Sequence, residues 1–331
     1  MRKMSILMLA AAGLLLATPG GMAEKPEMPK EFTLTAKEIP FRLASGKVVK
    51  GWAYNGRIPG PEIRVKEGER VRITFKNELP VASTIHWHGV DVPWTMDGPP
   101  GINQKPVEPG ETFVYEFVAK PAGTRFYHTH GSGAGDEALQ MDMGLYGPFI
   151  IEARKEPKYD REYTLILSER PSTLMPWEGP AAPPHGAAPS PHGQAAEAPA
   201  MPGMGMSDTF LINGKGWPET QPLVVKKGER VRVRLINAGS MSIHPMHLHG
   251  HSFRVVAIDG NRLATAIVRD VVTVNPSERY DIEFLANNPE VWLFHCHELH
   301  HAEAGMVTLV QYEGYEPMSR PAAPAMPGMK H

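Results

Sequence analysis

The chain has 331 residues, a formal net charge of −2 and a single cysteine. That length accommodates two domains of ordinary size. The near-neutral charge excludes a broadly basic surface for nucleic acid or anionic membrane, and a lone thiol excludes an intramolecular disulfide framework.

Taken from the N-terminus, Arg2 and Lys3 precede an apolar run from Ile6 to Ala17, and the small residues of Gly21-Met22-Ala23 follow. This is the pattern of a secretory leader, so residues 1–23 are expected to be removed and the protein to be periplasmic or secreted. No later stretch is long and apolar enough to span a bilayer.

The remainder contains one unit twice. Asn55-Gly56-Arg57-Ile58-Pro59 leads to Val65-Lys66-Glu67-Gly68-Glu69-Arg70-Val71-Arg72 and then Asn77. Asn213-Gly214-Lys215-Gly216-Trp217-Pro218 leads to Val225-Lys226-Lys227-Gly228-Glu229-Arg230-Val231-Arg232 and then Asn237. Each copy continues with two His-X-His pairs: His86/His88 and His128/His130, then His247/His249 and His295/His297. Short alternating runs separated by Gly, Pro and Asn turns, without sustained helical periodicity, predict an all-β sandwich for each copy. The expected division is a first domain at 24–165, a linker at 166–208, a second domain at 209–316 and a tail at 317–331. The linker and tail are rich in Pro, Ala, Gly and Met, and both contain Pro-Ala-Met-Pro-Gly-Met. Such composition cannot bury a core. Its thioethers at Met201, Met204 and Met206 suit Cu(I).

The histidines carry the chemistry. Ten of them fall in four clusters, which core packing does not explain. Cys296 ends the apolar run Val291-Trp292-Leu293-Phe294, which reads as a buried strand. On a strand, His295 and His297 point to one side and Cys296 to the other. Cysteine, two histidines and a more distant methionine are the ligand set of a blue-copper site. The paired histidines alone would also suit zinc; the soft sulfur beside His244, His301 and Met306 argues for copper.

With His86-Trp87-His88-Gly89, His128-Thr129-His130, His244-Pro245-Met246-His247-Leu248-His249-Gly250 and His295-Cys296-His297 followed by His301 and Met306, the sequence resembles the multicopper oxidases. Within that family it looks like the two-domain small laccases with the type 1 copper in the second domain. The resemblance implies two cupredoxin-like Greek-key β-sandwich domains, and one type 1, one type 2 and two type 3 coppers per subunit. It assigns type 1 copper to His244, Cys296, His301 and Met306, and type 2 copper to His86 and His247. Type 3 coppers fall to His88, His128, His130, His249, His295 and His297. Thr129 stands where a second blue site would need cysteine. Asp97 matches a carboxylate that assists proton delivery to reduced oxygen; near the His-Cys-His loop, Glu298 and Glu303 are the closest acids. The implied partners are dioxygen and a phenolic or metal-ion reductant such as Cu(I), reacting by way of His301 and Cys296, in a homotrimer whose three-copper clusters lie between subunits. The alternatives are a non-catalytic periplasmic copper-storage protein and a copper nitrite reductase.

Overall fold

The structure is a computed structural model that describes residues 28–131, 133–171 and 207–317. The expected leader, linker residues 172–206 with their methionines, and the tail beyond residue 317 lie outside the described residues.

Strands form where apolar and charged side chains alternate. Val71, Ile73 and Phe75 are buried while Arg70 and Arg72 face outward, as a half-buried strand requires. The first half contains β1 (Lys30–Arg42), β2 (Val48–Tyr54), β3 (Ile63–Lys66), β4 (Arg70–Asn77), β5 (Ile85–His88), β6 (Thr112–Val118), β7 (Gly123–Thr129) and β8 (Tyr146–Glu152). They pair in the orders β2-β1-β4-β6 and β3-β8-β7-β5. Trp52, Trp87, Tyr115, Phe117 and Phe149 fill the space between these two sheets.

The second half contains β9 (Arg161–Arg170), β10 (Thr209–Ile212), β11 (Leu223–Val225), β12 (Arg230–Asn237), β13 (His244–Leu248), β14 (Phe253–Ile258), β15 (Asn261–Arg269), β16 (Val271–Val274), β17 (Arg279–Leu285), β18 (Val291–Cys296) and β19 (Val307–Tyr312). One sheet runs β10-β9-β12-β17-β14-β15 and the other β11-β19-β18-β13-β16. Val233, Leu235, Met246, Phe294 and Val310 lie in this core. The fold is thus all-β, with two cupredoxin-like sandwiches. Among the described residues, helix is confined to α1 (Ala134–Met143), α2 (Leu299–Glu303) and a 3₁₀ turn at Trp94–Met96. No helix there is long and apolar enough to cross a membrane. The ten-residue α1 is a departure from the expected run of strands and turns.

The repeated sequence performs repeated work. Asn55 and Gly56, like Asn213 and Gly214, both take positive φ, as a type I′ turn demands. The Asn55 side chain accepts from Thr35 N and donates to Thr33 O; that of Asn213 accepts from Ile166 N and donates to Thr164 O. Asn77 donates to Val81 O and Val107 O, and Asn237 to Ser242 O and Val274 O. Each asparagine thereby pins the loop that leads into the first His-X-His pair of its repeat.

The boundary expected between residues 165 and 166 falls inside β9. This strand pairs with β12 and β10 of the second sandwich, and Leu165, Ile166 and Leu167 are buried. The two sandwiches meet across Phe126, Tyr146, Ile166, Ile236 and Ala238. A polar seam extends the contact: Arg234 donates to Thr124 Oγ1 and Asp281, and Arg279 donates to Thr124 O. The histidine pairs of both repeats lie at or just beyond the ends of β5, β7, β13 and β18.

Candidate metal centres

The structure gathers Cys296 with His244, 52 residues before it, and His301, in the helix that follows. Its Sγ lies 3.6 Å from His301 Nδ1 and 3.9 Å from His244 Nδ1, and those nitrogens are 3.2 Å apart. Three donors in a plane, each about 2.1 Å from one ion, stand about 3.6 Å from one another, so this spacing fits a single metal. Burial pushes the Cys296 thiol up to about 12 and the His244 imidazole down to about 3. The ring is held in its neutral, metal-binding form, and a bound cation would displace the thiol proton. A soft thiolate with two imidazoles in a trigonal set suits copper. Met306 is fully buried in the same core, and its carbonyl accepts from Cys296 N at 3.0 Å.

His244 is fully buried, whereas the His301 side chain keeps 12% of its surface exposed. The His301 ring stacks on Phe210 with centroids 3.8 Å apart. Glu298 accepts from His301 N at 3.0 Å, and its carboxylate lies 3.2 Å from Nε2 of the same ring. Neither the Phe210 stack nor the Glu298 contact is predicted by the motif. Phe210 lies 86 residues before Cys296 in a strand that offers no chemical signal.

The remaining histidines form two tetrads. In the first repeat, His86, His88 and His128 have ring centroids 5.3–5.5 Å apart, and His130 lies 6.1 Å from His86. In the second, His247 lies 4.7 Å from His249, 5.9 Å from His295 and 5.6 Å from His297. Among the described residues no ring contact joins one tetrad to the other.

Backbone carbonyls orient these rings. His86 Nδ1–H donates to Asp97 O at 2.8 Å, His128 Nδ1–H to Thr129 O at 2.7 Å, His247 Nδ1–H to Asp270 O at 2.9 Å and His295 Nδ1–H to Cys296 O at 2.8 Å. A proton fixed on Nδ1 leaves Nε2 as the metal donor. Facing nitrogens result: His88 Nδ1 lies 3.3 Å from His128 Nε2, and His249 Nε2 lies 3.0 Å from His295 Nε2. Burial holds His88 down to about 3, with the positive Arg279 adding to the effect, and holds His128 well below the usual imidazole range. These rings are therefore neutral at physiological pH, the form in which an imidazole can bind a metal. His251 stays outside the sets; it donates to His249 O at 3.1 Å and meets Tyr312 Oη at 2.8 Å.

Two acids approach the first tetrad. Asp97 Oδ1 lies 3.3 Å from His86 Nδ1. Glu137, on α1, lies 3.3 Å from His130 Nε2 and 3.8 Å from His128 Nδ1. The sequence points to Asp97 but not to Glu137, because Gly131, Gly133 and Gly135 disguise the start of the helix that carries it.

Two family models described as multicopper oxidase match residues 35–156 and 192–314. Copper resistance protein A of Pseudomonas syringae pv. tomato is 30% identical over 324 residues, which cover 83% of this chain and 52% of that protein. The chain thus spans about half the length of the curated relatives it matches first. Among solved structures, the blue copper oxidase from Nitrosomonas europaea is 33% identical with a TM-score of 0.73, and the match covers 86% of each chain. The multicopper oxidase mgLAC is 33% identical with a TM-score of 0.76, covering 88% of each chain. With a thiolate–imidazole site and histidine tetrads on two cupredoxin-like sandwiches, and with family matches over both repeats, the chain belongs to the multicopper oxidase family.

Proposed function

We propose that the chain is a laccase-like oxidase of the two-domain type, with its type 1 copper in the second domain. It couples one-electron oxidation of phenols, or of metal ions such as Cu(I), to reduction of dioxygen to water. The observation that carries this reading is the direct covalent link at β18: Cys296 belongs to the thiolate site, and its neighbours His295 and His297 belong to a tetrad.

Bound copper would supply one-electron exchange at the Cys296 set and dioxygen reduction at the tetrads. His244, Cys296, His301 and Met306 would hold the type 1 ion. His86 and His247 would hold type 2, and His88, His128, His130, His249, His295 and His297 would hold type 3. The partly exposed edge of His301 would face the reductant. The peptide links from Cys296 to His295 and His297 would join the Cys296 set to the second tetrad. The thioether of Met306 among the donors would favour a modest potential, and so easily oxidised phenols or Cu(I).

Each tetrad would be half of a cluster, a reading supported by the lack of any ring contact between the two among the described residues. A head-to-tail homotrimer would bring the first tetrad of one copy against the second tetrad of its neighbour. The leader pattern supports export, so copper uptake would follow outside the cytoplasm.

Asp97 holds His86 through its carbonyl and presents its carboxylate beside the ring. In the proposed role it relays protons to reduced oxygen. Asp97→Asn keeps the carbonyl, and so is expected to lower the turnover number about 100-fold with copper content unchanged, as read by metal analysis beside the rate. Oxygen consumption by copper-loaded protein, measured with a phenol, Cu(I) and Mn(II) side by side, tests the whole reading. Uptake with the phenol or Cu(I) is expected, whereas a copper-storage protein would consume none.

A further inference from the structure

The two repeats correspond residue by residue around the Cys296 site. In the second repeat, His247 pairs with His295 and Met246 with Cys296 across β13 and β18. In the first, His86 pairs with His128 and Ile85 with Thr129 across β5 and β7. Thr129 therefore takes the place of Cys296. Ser83, three residues before His86, takes the place of His244, three residues before His247.

The segments that follow keep the same register although α1 is longer than α2. Cys296 N–H donates to Met306 O at 3.0 Å, and Thr129 N–H donates to Leu145 O at 2.9 Å. Met306 N–H donates to His301 O at 2.9 Å, and Leu145 N–H donates to Gln140 O at 3.2 Å. Leu145 thus matches Met306, and Gln140 matches His301.

These counterparts close on one another. Ser83 Oγ–H donates to Gln140 Oε1 at 2.8 Å, and Thr129 Oγ1–H donates to the same oxygen at 2.5 Å. The two hydroxyl oxygens are 2.9 Å apart. Gln140 Nε2–H donates to Ala82 O at 3.1 Å and to Asp136 at 3.0 Å. Ser83, Thr129, Gln140 and Leu145 are all at most 1% exposed.

We propose that Ser83, Thr129, Gln140 and Leu145 are a metal-free counterpart of the Cys296 site, a hydrogen-bonded lock that positions His128 and His130. The equivalence rests on reading the Cys296 set as a copper site. In the second repeat a bound metal would tie the strand end at Cys296 to His244 and to the following helix. In the first repeat two hydroxyls and one amide make the same three-way tie. Thr129 sits between the two histidines it fixes, and Gln140 shares α1 with Glu137, which faces His130. Sealed from water, the tie is costly to weaken, because losing one hydroxyl leaves the buried Gln140 oxygen with a single donor. The lock contains no thiol, so it offers no second thiolate site for copper.

Thr129→Val keeps the shape and removes the hydroxyl; Thr129→Ser keeps the hydroxyl. Copper binding is measured by titration with Cu(II), with the visible thiolate band as an internal control. Thr129→Val is expected to keep the blue band and to bind tetrad copper about 10- to 100-fold more weakly, the usual effect of removing support behind a metal-binding histidine. Thr129→Ser should bind as the parent does. Parental affinity in Thr129→Val would overturn the lock. A second variant tests the correspondence itself: Ser83→His, Thr129→Cys, Gln140→His and Leu145→Met together, in a Cys296→Ser background. A new blue band with Cu(II) is expected, and a folded, colourless protein would overturn the equivalence. A parent that showed no blue band would instead defeat the copper reading on which both rest.

Discussion

Cys296→Ser should abolish the intense visible absorption of the copper-loaded protein. That band is a transition from thiolate sulfur to copper, and Cys296 is the only cysteine in the chain. Serine is a close steric match, so His244 and His301 keep their places but lose the soft donor between them. The buried hydroxyl costs roughly 1–2 kcal/mol of stability, which leaves the sandwich folded. The tetrads do not use the sulfur and should keep their copper, visible in metal analysis and in the near-ultraviolet band of the coupled pair. Turnover with one-electron reductants should fall below about 1% of the parent, since the metal that accepts the electron is lost. A Cys296→Ser protein that stayed blue would show that the sulfur is not a ligand.

Mixing two inactive variants should restore activity. His128→Ala damages the first-repeat tetrad and His295→Ala the second-repeat tetrad, so each homogeneous protein is expected to be inactive. If the clusters form between chains, some interfaces in a mixed trimer receive the sound first tetrad of one variant and the sound second tetrad of the other. Random assembly of equal amounts makes about a quarter of the interfaces intact, so about a quarter of parental oxygen consumption should return after unfolding and co-refolding. Clusters built within single chains would gain nothing from mixing. Among the described residues no ring contact joins the two tetrads, and that is the structural basis for expecting recovery.

Much of this arrangement is legible in the sequence because metal ligation fixes residue types and spacing together. His-X-His on a strand sends both rings to one face, and Cys296 between His295 and His297 must face the other way. The repeated Asn-Gly turns and the asparagines at 77 and 237 likewise announce their structure, because few residues tolerate positive φ or satisfy two loop carbonyls at once. What is illegible depends on contacts far apart in sequence or on weak local signals. The Phe210 stack on His301 arises only when β10 is laid beside α2. Helix α1 begins among glycines, which are poor helix formers, and so Glu137 and Gln140 read as loop residues. Strand β9 reads as the start of a linker because only its pairing with β12 reveals that it completes the second sandwich. Thr129 is visible in the sequence as a missing cysteine; that its hydroxyl replaces a metal tie becomes evident only from the position of Gln140.

Electrons taken singly at the Cys296 set are expected to leave in the complete reduction of dioxygen at the tetrads. An oxygen electrode with peroxide detection, used with copper-loaded protein and a limiting one-electron reductant, measures this. Reduction to water requires about four reductant equivalents per dioxygen with no peroxide released, and that is the expected result. Two equivalents per dioxygen with matching peroxide, or no oxygen uptake by fully loaded protein, would rule out the coupling of the two sites.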